Sequence, residues 1–135
     1  MTSKPYDKPT LIRYRLERAR AILQAALVLI QQGADPMSSI NRSYYAMFNA
    51  VLALLITIDR GTPGHSGALA LFDEQFVKPG TFSREMGKEI HRAFDLCQKA
   101  DYEDMASVSA VKAIEIYNSA VEFVTAVDEH LSKSS

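Results

Sequence analysis

The chain holds a single cysteine, Cys97, which excludes an intramolecular disulfide and fits a reducing compartment. It also lacks an excess of either charge. Fifteen Lys and Arg stand against 16 Asp and Glu, for a formal net charge of −1, which excludes the global basic character of a dedicated nucleic-acid binder. No positively charged segment followed by an apolar one opens the N-terminus, so no signal peptide is expected and the expected location is the cytoplasm. Gly/Ser linkers, internal repeats and low-complexity tracts are missing. The 135 residues therefore read as one domain, 1–135, with only 1–7 and 131–135 expected to be loose. A chain of this length encloses a core without metals or disulfides.

Several chemistries have no support in the sequence. It contains no Cys/His metal constellation, no glycine-rich phosphate loop after a strand, and no nucleophile elbow. A carboxylate-bridged di-metal bundle needs Glu-x-x-His repeats on facing helices, and none is present. Glu103 and Asp104 are adjacent, so on a helix they diverge. No cofactor or metal is expected. No segment sustains period-two alternation between turns, so no strands are expected.

What remains is helix. The spacing of Ile12, Leu16, Ala19, Leu23, Ala26 and Ile30 predicts a first helix over about 10–32, with Gly33 as its left-handed cap. Asp35 reads as an N-cap, with Pro36 opening a second helix over about 37–59 that ends at Gly61. A third helix begins near His65 and stops at Gly80. Ser83 caps a fourth over about 84–100, whose Met86, Ile90, Phe94 and Cys97 share a face; Cys97 is expected to be a buried, inert thiol. Asp101 or Asp104 starts the last helix, about 103–132, with Val111, Ile114, Tyr117, Val121 and Val124 as its core stripe. Short connections favour antiparallel neighbours, giving an all-α, up-down bundle of about five helices.

The second helix is the most informative. Between Arg42 and Asp59 lie sixteen uncharged residues, too few for a bilayer span, which takes roughly 20. The helix is apolar nearly all round and so is buried on more than one side. One stripe, Ile40, Tyr44, Met47, Val51 and Leu54, faces the interior. A second, Tyr45, Phe48, Leu52 and Leu55, would stay exposed in a monomer, and an exposed stripe of that size points to a two-fold homodimer. Charge is also asymmetric. Lys4, Lys8, Arg13, Arg15, Arg18 and Arg20 outnumber Asp7 and Glu17 near the N-terminus, while residues 101–135 carry seven acids against Lys112 and Lys133. Solvated faces with some pairing between the ends are the expected result. The arginine cluster is the alternative source of RNA phosphate contacts.

The run Arg42-Ser43-Tyr44-Tyr45-Ala46-Met47-Phe48-Asn49-Ala50, then Ala53-Leu54-Leu55, resembles the signature helix of small prokaryotic HEPN-domain proteins. The loop His65-Ser66-Gly67, the segment Phe76-Val77-Lys78-Pro79-Gly80 and Ala100-Asp101-Tyr102 are further similarities, in order over about residues 38–125. The resemblance implies a dimerising all-α bundle. It also implies a role beside a minimal nucleotidyltransferase, in a two-gene system of toxin–antitoxin type, with RNA or nucleotide as ligand. Many such proteins are metal-independent RNases with four to six residues between an arginine and a histidine; others bind nucleotides or RNA, or serve as partners.

Two stretches satisfy that spacing. Arg84 and His91 have six residues between them and share a helix face about 10 Å apart along the axis. Arg60 and His65 have four, across a turn, and His65 matches the family's loop histidine. A histidine can move the 2′-hydroxyl proton and an arginine can stabilise the pentavalent phosphate. Arg84, His91 and His65 are thus the candidate catalytic residues, and Arg42, Tyr44, Tyr45, Asp101 and Tyr102 the candidate binding network, with Arg42 expected to pair with Asp101. A structural network of Arg42, Tyr45, Asp101 and Tyr102 within the bundle is the alternative. His130 is expected to be solvated. The expected function is RNA or nucleotide binding in a nucleotidyltransferase-paired system. The alternatives are a metal-independent RNase toxin and a non-catalytic dimeric interaction module. No membrane association is expected.

Overall fold

The computed structural model describes residues 7–61, 64–102 and 108–134, and of 99–102 and 134 the backbone alone. Helix α1, Lys8–Gln31, starts where the Asp7 carboxylate accepts from the Thr10 amide at 3.0 Å, and Pro9 in the first turn costs no hydrogen bond. Gly33, at φ +70°, closes its C-terminal end as expected. Helix α2, Pro36–Thr57, begins at Pro36, but Asp35 contributes no side-chain cap; its backbone carbonyl accepts from Ser38 instead.

The end of α2 differs from expectation. The helix stops at Thr57, whose hydroxyl bonds the Leu54 carbonyl at 2.6 Å, and the left-handed residue is Asp59 (φ +56°) rather than a glycine. Aspartate is one of the few residues that enter this region, and an ion pair of 2.8 Å with Lys8 holds it there.

Helix α3, His65–Phe72, runs into a π-helical turn, Asp73–Val77, before Gly80 (φ +93°) breaks the chain. Helix α4 spans Arg84–Tyr102, with the Ser83 hydroxyl accepting from the Met86 amide. Asp101 and Tyr102 thus close α4 and do not open the last helix. Helix α5, Ala110–Ser134, is capped by Ser109, whose hydroxyl accepts from the Lys112 amide; Asp104, the other expected cap, lies outside the described residues. Among the described residues there are five α-helices and no strand.

Helix α2 is the hub. It packs on α1, α3, α4 and α5, which is why it carries so little charge. Its contacts Lys8–Asp59 and Arg15–Asn49 run in opposite chain directions, so α1 and α2 are antiparallel. Arg20 pairs with Asp128 at 2.9 Å, the expected meeting of the basic N-terminal and acidic C-terminal segments. Ile40, Tyr44, Met47, Val51 and Leu54 are all buried, as expected.

Three expectations fail on packing. In the second stripe of α2, Phe48 and Leu55 are buried inside the chain itself and Leu52 is half-buried, leaving Tyr45 exposed. The reason is α3: the His65 ring lies on Phe48 with centroids 4.1 Å apart. The core face of α5 is Ala113, Ile116, Ala120, Phe123, Val124 and Val127, whereas Val111 and Ile114 are exposed. His130 is half-buried and stands edge-on to Phe82. A phenylalanine cluster of Phe72, Phe76, Phe82 and Phe123 fills the far end of the bundle.

Candidate functional site

The α2 residues left uncovered, Ser38, Asn41, Arg42 and Tyr45, form one wall of a cleft of about 850 Å³. The start of α3 supplies His65 and Ser66, and α4 supplies Phe94, Cys97 and Gln98. Each element arrives for a local reason. The chain turns at Gly64 (φ +94°) to aim the first turn of α3 back at α2. Phe94 and Cys97, three residues apart, lie on the same side of α4.

At the base of the cleft, the Tyr44 hydroxyl and His65 Nδ1 are 2.7 Å apart. The imidazole is stacked on Phe48 (interplanar angle 15°) and runs nearly parallel to Phe94 (10°). Tyr45 meets it edge-on, at 88°. Burial, with smaller contributions from nearby Cys97 and Tyr45, pushes the Tyr44 phenol above its ordinary range. Tyr44 is therefore a neutral, buried hydroxyl that needs a partner, and His65 is that partner.

Arg42 and Tyr45 are exposed at the rim. Behind them, the Asn49 side chain accepts from Arg15 at 3.0 Å and donates to the Tyr45 carbonyl at 2.9 Å. Among the described lining residues there is no carboxylate, while one arginine and one histidine face the space. Such a cleft favours an anionic ligand with a flat, stackable part.

Four of the candidate residues are thus brought together: Arg42, Tyr44, Tyr45 and His65. The side chains of Asp101 and Tyr102 lie outside the described residues, so the expected pairing of Arg42 with Asp101 does too. Arg84 and His91 lie away from this cleft. Arg84 is exposed at the first position of α4, and His91 Nε2 is 2.6 Å from Asp73 Oδ2. His91 lines a separate hollow of about 400 Å³ with Lys88, Arg92, Asp95 and Leu96. Arg60 is exposed and is not among the cleft residues. Cys97, expected to be buried and inert, is half-buried in the cleft wall beside Tyr44. Among the described residues, no group of His, Cys, Asp and Glu could hold a metal ion, and no helix is long and apolar enough to cross a membrane.

Sequence reasoning missed Ser38, Asn41 and Gln98, polar residues with no motif to mark them, and did not count Ser66, which lies in the His65-Ser66-Gly67 loop, among the candidates. The one available signal was the row Ser38, Asn41, Arg42, Tyr45, which places four polar residues of a largely apolar helix on one side.

A helical bundle with a tyrosine-rich central helix, an aromatic and cationic cleft and a histidine at the start of the third helix defines a class of small helical domain. The chain belongs to the HEPN-domain family, which it matches over residues 12–130. It is 32% identical to a UPF0332 protein of Thermotoga maritima over 123 residues, 91% of this chain and 92% of that one. It is also similar to two proteins of Methanocaldococcus jannaschii, each named "Putative toxin". One is 32% identical over 67% of both chains. The other is 33% identical over 56% of this chain and 51% of its own length.

Proposed function

We propose that this HEPN protein is the toxin-type component of a two-gene system with a nucleotidyltransferase partner, and that it binds single-stranded RNA or a nucleotide in the cleft of Arg42, Tyr45 and His65. The observation that carries the reading is the composition of that cleft: a cation, a histidine and an exposed tyrosine around a space with no carboxylate among its described lining residues. The names of the M. jannaschii relatives support the toxin assignment. A second copy of the chain is the expected assembly partner.

The test is fluorescence anisotropy with a labelled single-stranded RNA oligonucleotide. Tyr45→Ala removes a stacking surface and should weaken binding by about 1–3 kcal/mol. Arg42→Ala should lower the slope of log affinity against log salt by about one phosphate contact. Wild-type protein that ignores the oligonucleotide at low salt, or variants that bind as wild type does, would overturn the reading.

Metal-independent RNA cleavage is the second reading. The observation favouring it is the pairing of His65 with Tyr44 beside Arg42, a histidine held in place at an anion-friendly cleft. Incubation with total RNA in EDTA, beside His65→Ala and His91→Ala, decides it: cleavage lost only with His65 supports the reading, and uncut RNA removes it.

A further inference from the structure

Tyr44 and His65 share one hydrogen bond, and its direction determines what the imidazole offers to a ligand. The two atoms are 2.7 Å apart. The phenol keeps its proton, because burial disfavours the phenolate. That proton needs an acceptor. A neutral imidazole nitrogen with a free lone pair is a strong one, whereas the Cys97 sulfur on the same side is a weak one. Among the described residues, the alternative, an Nδ1–H donating to the phenol oxygen, would leave the buried tyrosine proton with the poorer acceptor.

We infer that Tyr44 donates to Nδ1 and so fixes His65 as the Nε2–H tautomer, which makes Tyr44 a positioning residue and His65 a hydrogen-bond donor to the phosphate of the bound nucleotide. The inference rests on the proposed ligand for its last clause only. With Phe48 stacked on one ring face, Phe94 nearly parallel to it and Nδ1 engaged, the Nε2 edge is what His65 has left for the cleft. Protonation of the ring does not change the outcome: Nδ1–H then donates to the phenol oxygen and Nε2 still carries a proton. Nε2 is thus the donor in both charge states. A neutral histidine so held can hold an anion, but it can neither give up nor accept a proton at Nε2 without passing through the Nδ1–H form, in which the bond to Tyr44 is reversed.

The test is a long-range proton–nitrogen NMR spectrum of the imidazoles at about pH 8.5, above the ordinary histidine range, with His65 assigned by its absence in His65→Leu. The expected wild-type signature is a protonated Nε2 and an Nδ1 resonance shifted by an accepted hydrogen bond. Tyr44→Phe, checked for folding by its thermal melt, should move Nδ1 to the position of a free ring nitrogen. A proton on Nδ1 in the wild type, or an Nδ1 resonance that a folded Tyr44→Phe leaves in place, overturns the inference. With the RNA oligonucleotide as probe, His65→Gln keeps an amide donor near the Nε2 position and should bind about tenfold more tightly than His65→Leu; equal affinities overturn the donor role. If the wild type binds no oligonucleotide, the functional reading falls, while the spectrum still decides the tautomer.

Discussion

His91, in the middle of α4, and Asp73, the first residue of the π-helical turn, are 2.6 Å apart between Nε2 and Oδ2. Asp73 continues α3 in ordinary helical register, its amide bonded to the Leu69 carbonyl, so the meeting is set by α3 and not by the wider turn that follows. Gly87 makes it close: a Cβ there would stand 3.3 Å from Asp73 Oδ1. The pair fastens α4 to the turn and engages one of the two ring nitrogens of His91.

His91→Ala should therefore leave oligonucleotide affinity within about twofold. Both side chains are some two-fifths exposed, so loss of the pair should lower stability by no more than about 1 kcal/mol, and by less at high salt. Anisotropy and urea unfolding read the two effects. Binding that disappears with His91 would move the site to the hollow on α4.

Phe48 was expected at an intermolecular surface and lies under His65 instead. Phe48→Ala should destabilise the fold by about 3–5 kcal/mol in denaturant unfolding, whatever oligomeric state the wild type holds. A change in sedimentation with stability intact would return Phe48 to an interface.

Ser43, fully buried one residue before Tyr44, has a hydroxyl without a hydrogen-bond partner among the described residues. An unsatisfied buried hydroxyl costs about 1–3 kcal/mol, and alanine is also the better helix former. Ser43→Ala should raise the thermal midpoint by several degrees; a lower midpoint would show that the hydroxyl is bonded after all.

Glu89 on α4 has its carboxyl pKa raised, first by burial, then by Glu122 and Glu85, with the Ser119 hydroxyl working the other way. The folded state therefore holds this proton more tightly than the unfolded chain does. The contribution is favourable at low pH and is lost as pH rises from the unfolded value through the folded one. Glu89→Gln should be more stable than wild type at neutral pH, by up to about 0.5 kcal/mol for a half-buried position still partly screened by solvent. The gain should vanish below about pH 4. Urea midpoints at the two pH values check the sign.

The architecture was legible because its signals are local. Gly33 and Ser83 mark helix ends by their own chemistry, and the interior stripe of α2 follows from period alone. The face of α5 was misread for a physical reason. Its apolar residues go nearly all round, and the buried side is set by Ala113 and Ala120, whose value lies in close approach and not in hydropathy. At the site, Arg42, Tyr44, Tyr45 and His65 were each legible from the motif, but the bond between Tyr44 and His65 was not. It spans 21 positions and depends on the path of the chain through Gly64, which no spacing rule encodes.

Asn49 holds α1 and α2 together with an amide engaged at both ends, its oxygen toward Arg15 and its nitrogen toward the Tyr45 carbonyl. Turned end for end, it would set oxygen against oxygen and donors against a guanidinium, so the joint has a handedness. An aspartate is nearly the same shape and would hold Arg15 as well or better. Its second oxygen would then face the Tyr45 carbonyl, just behind the residue on which a ligand is proposed to stack. The exchange of one nitrogen for one oxygen, which is the product of amide hydrolysis in an ageing protein, would turn a strut of the cleft into a wedge.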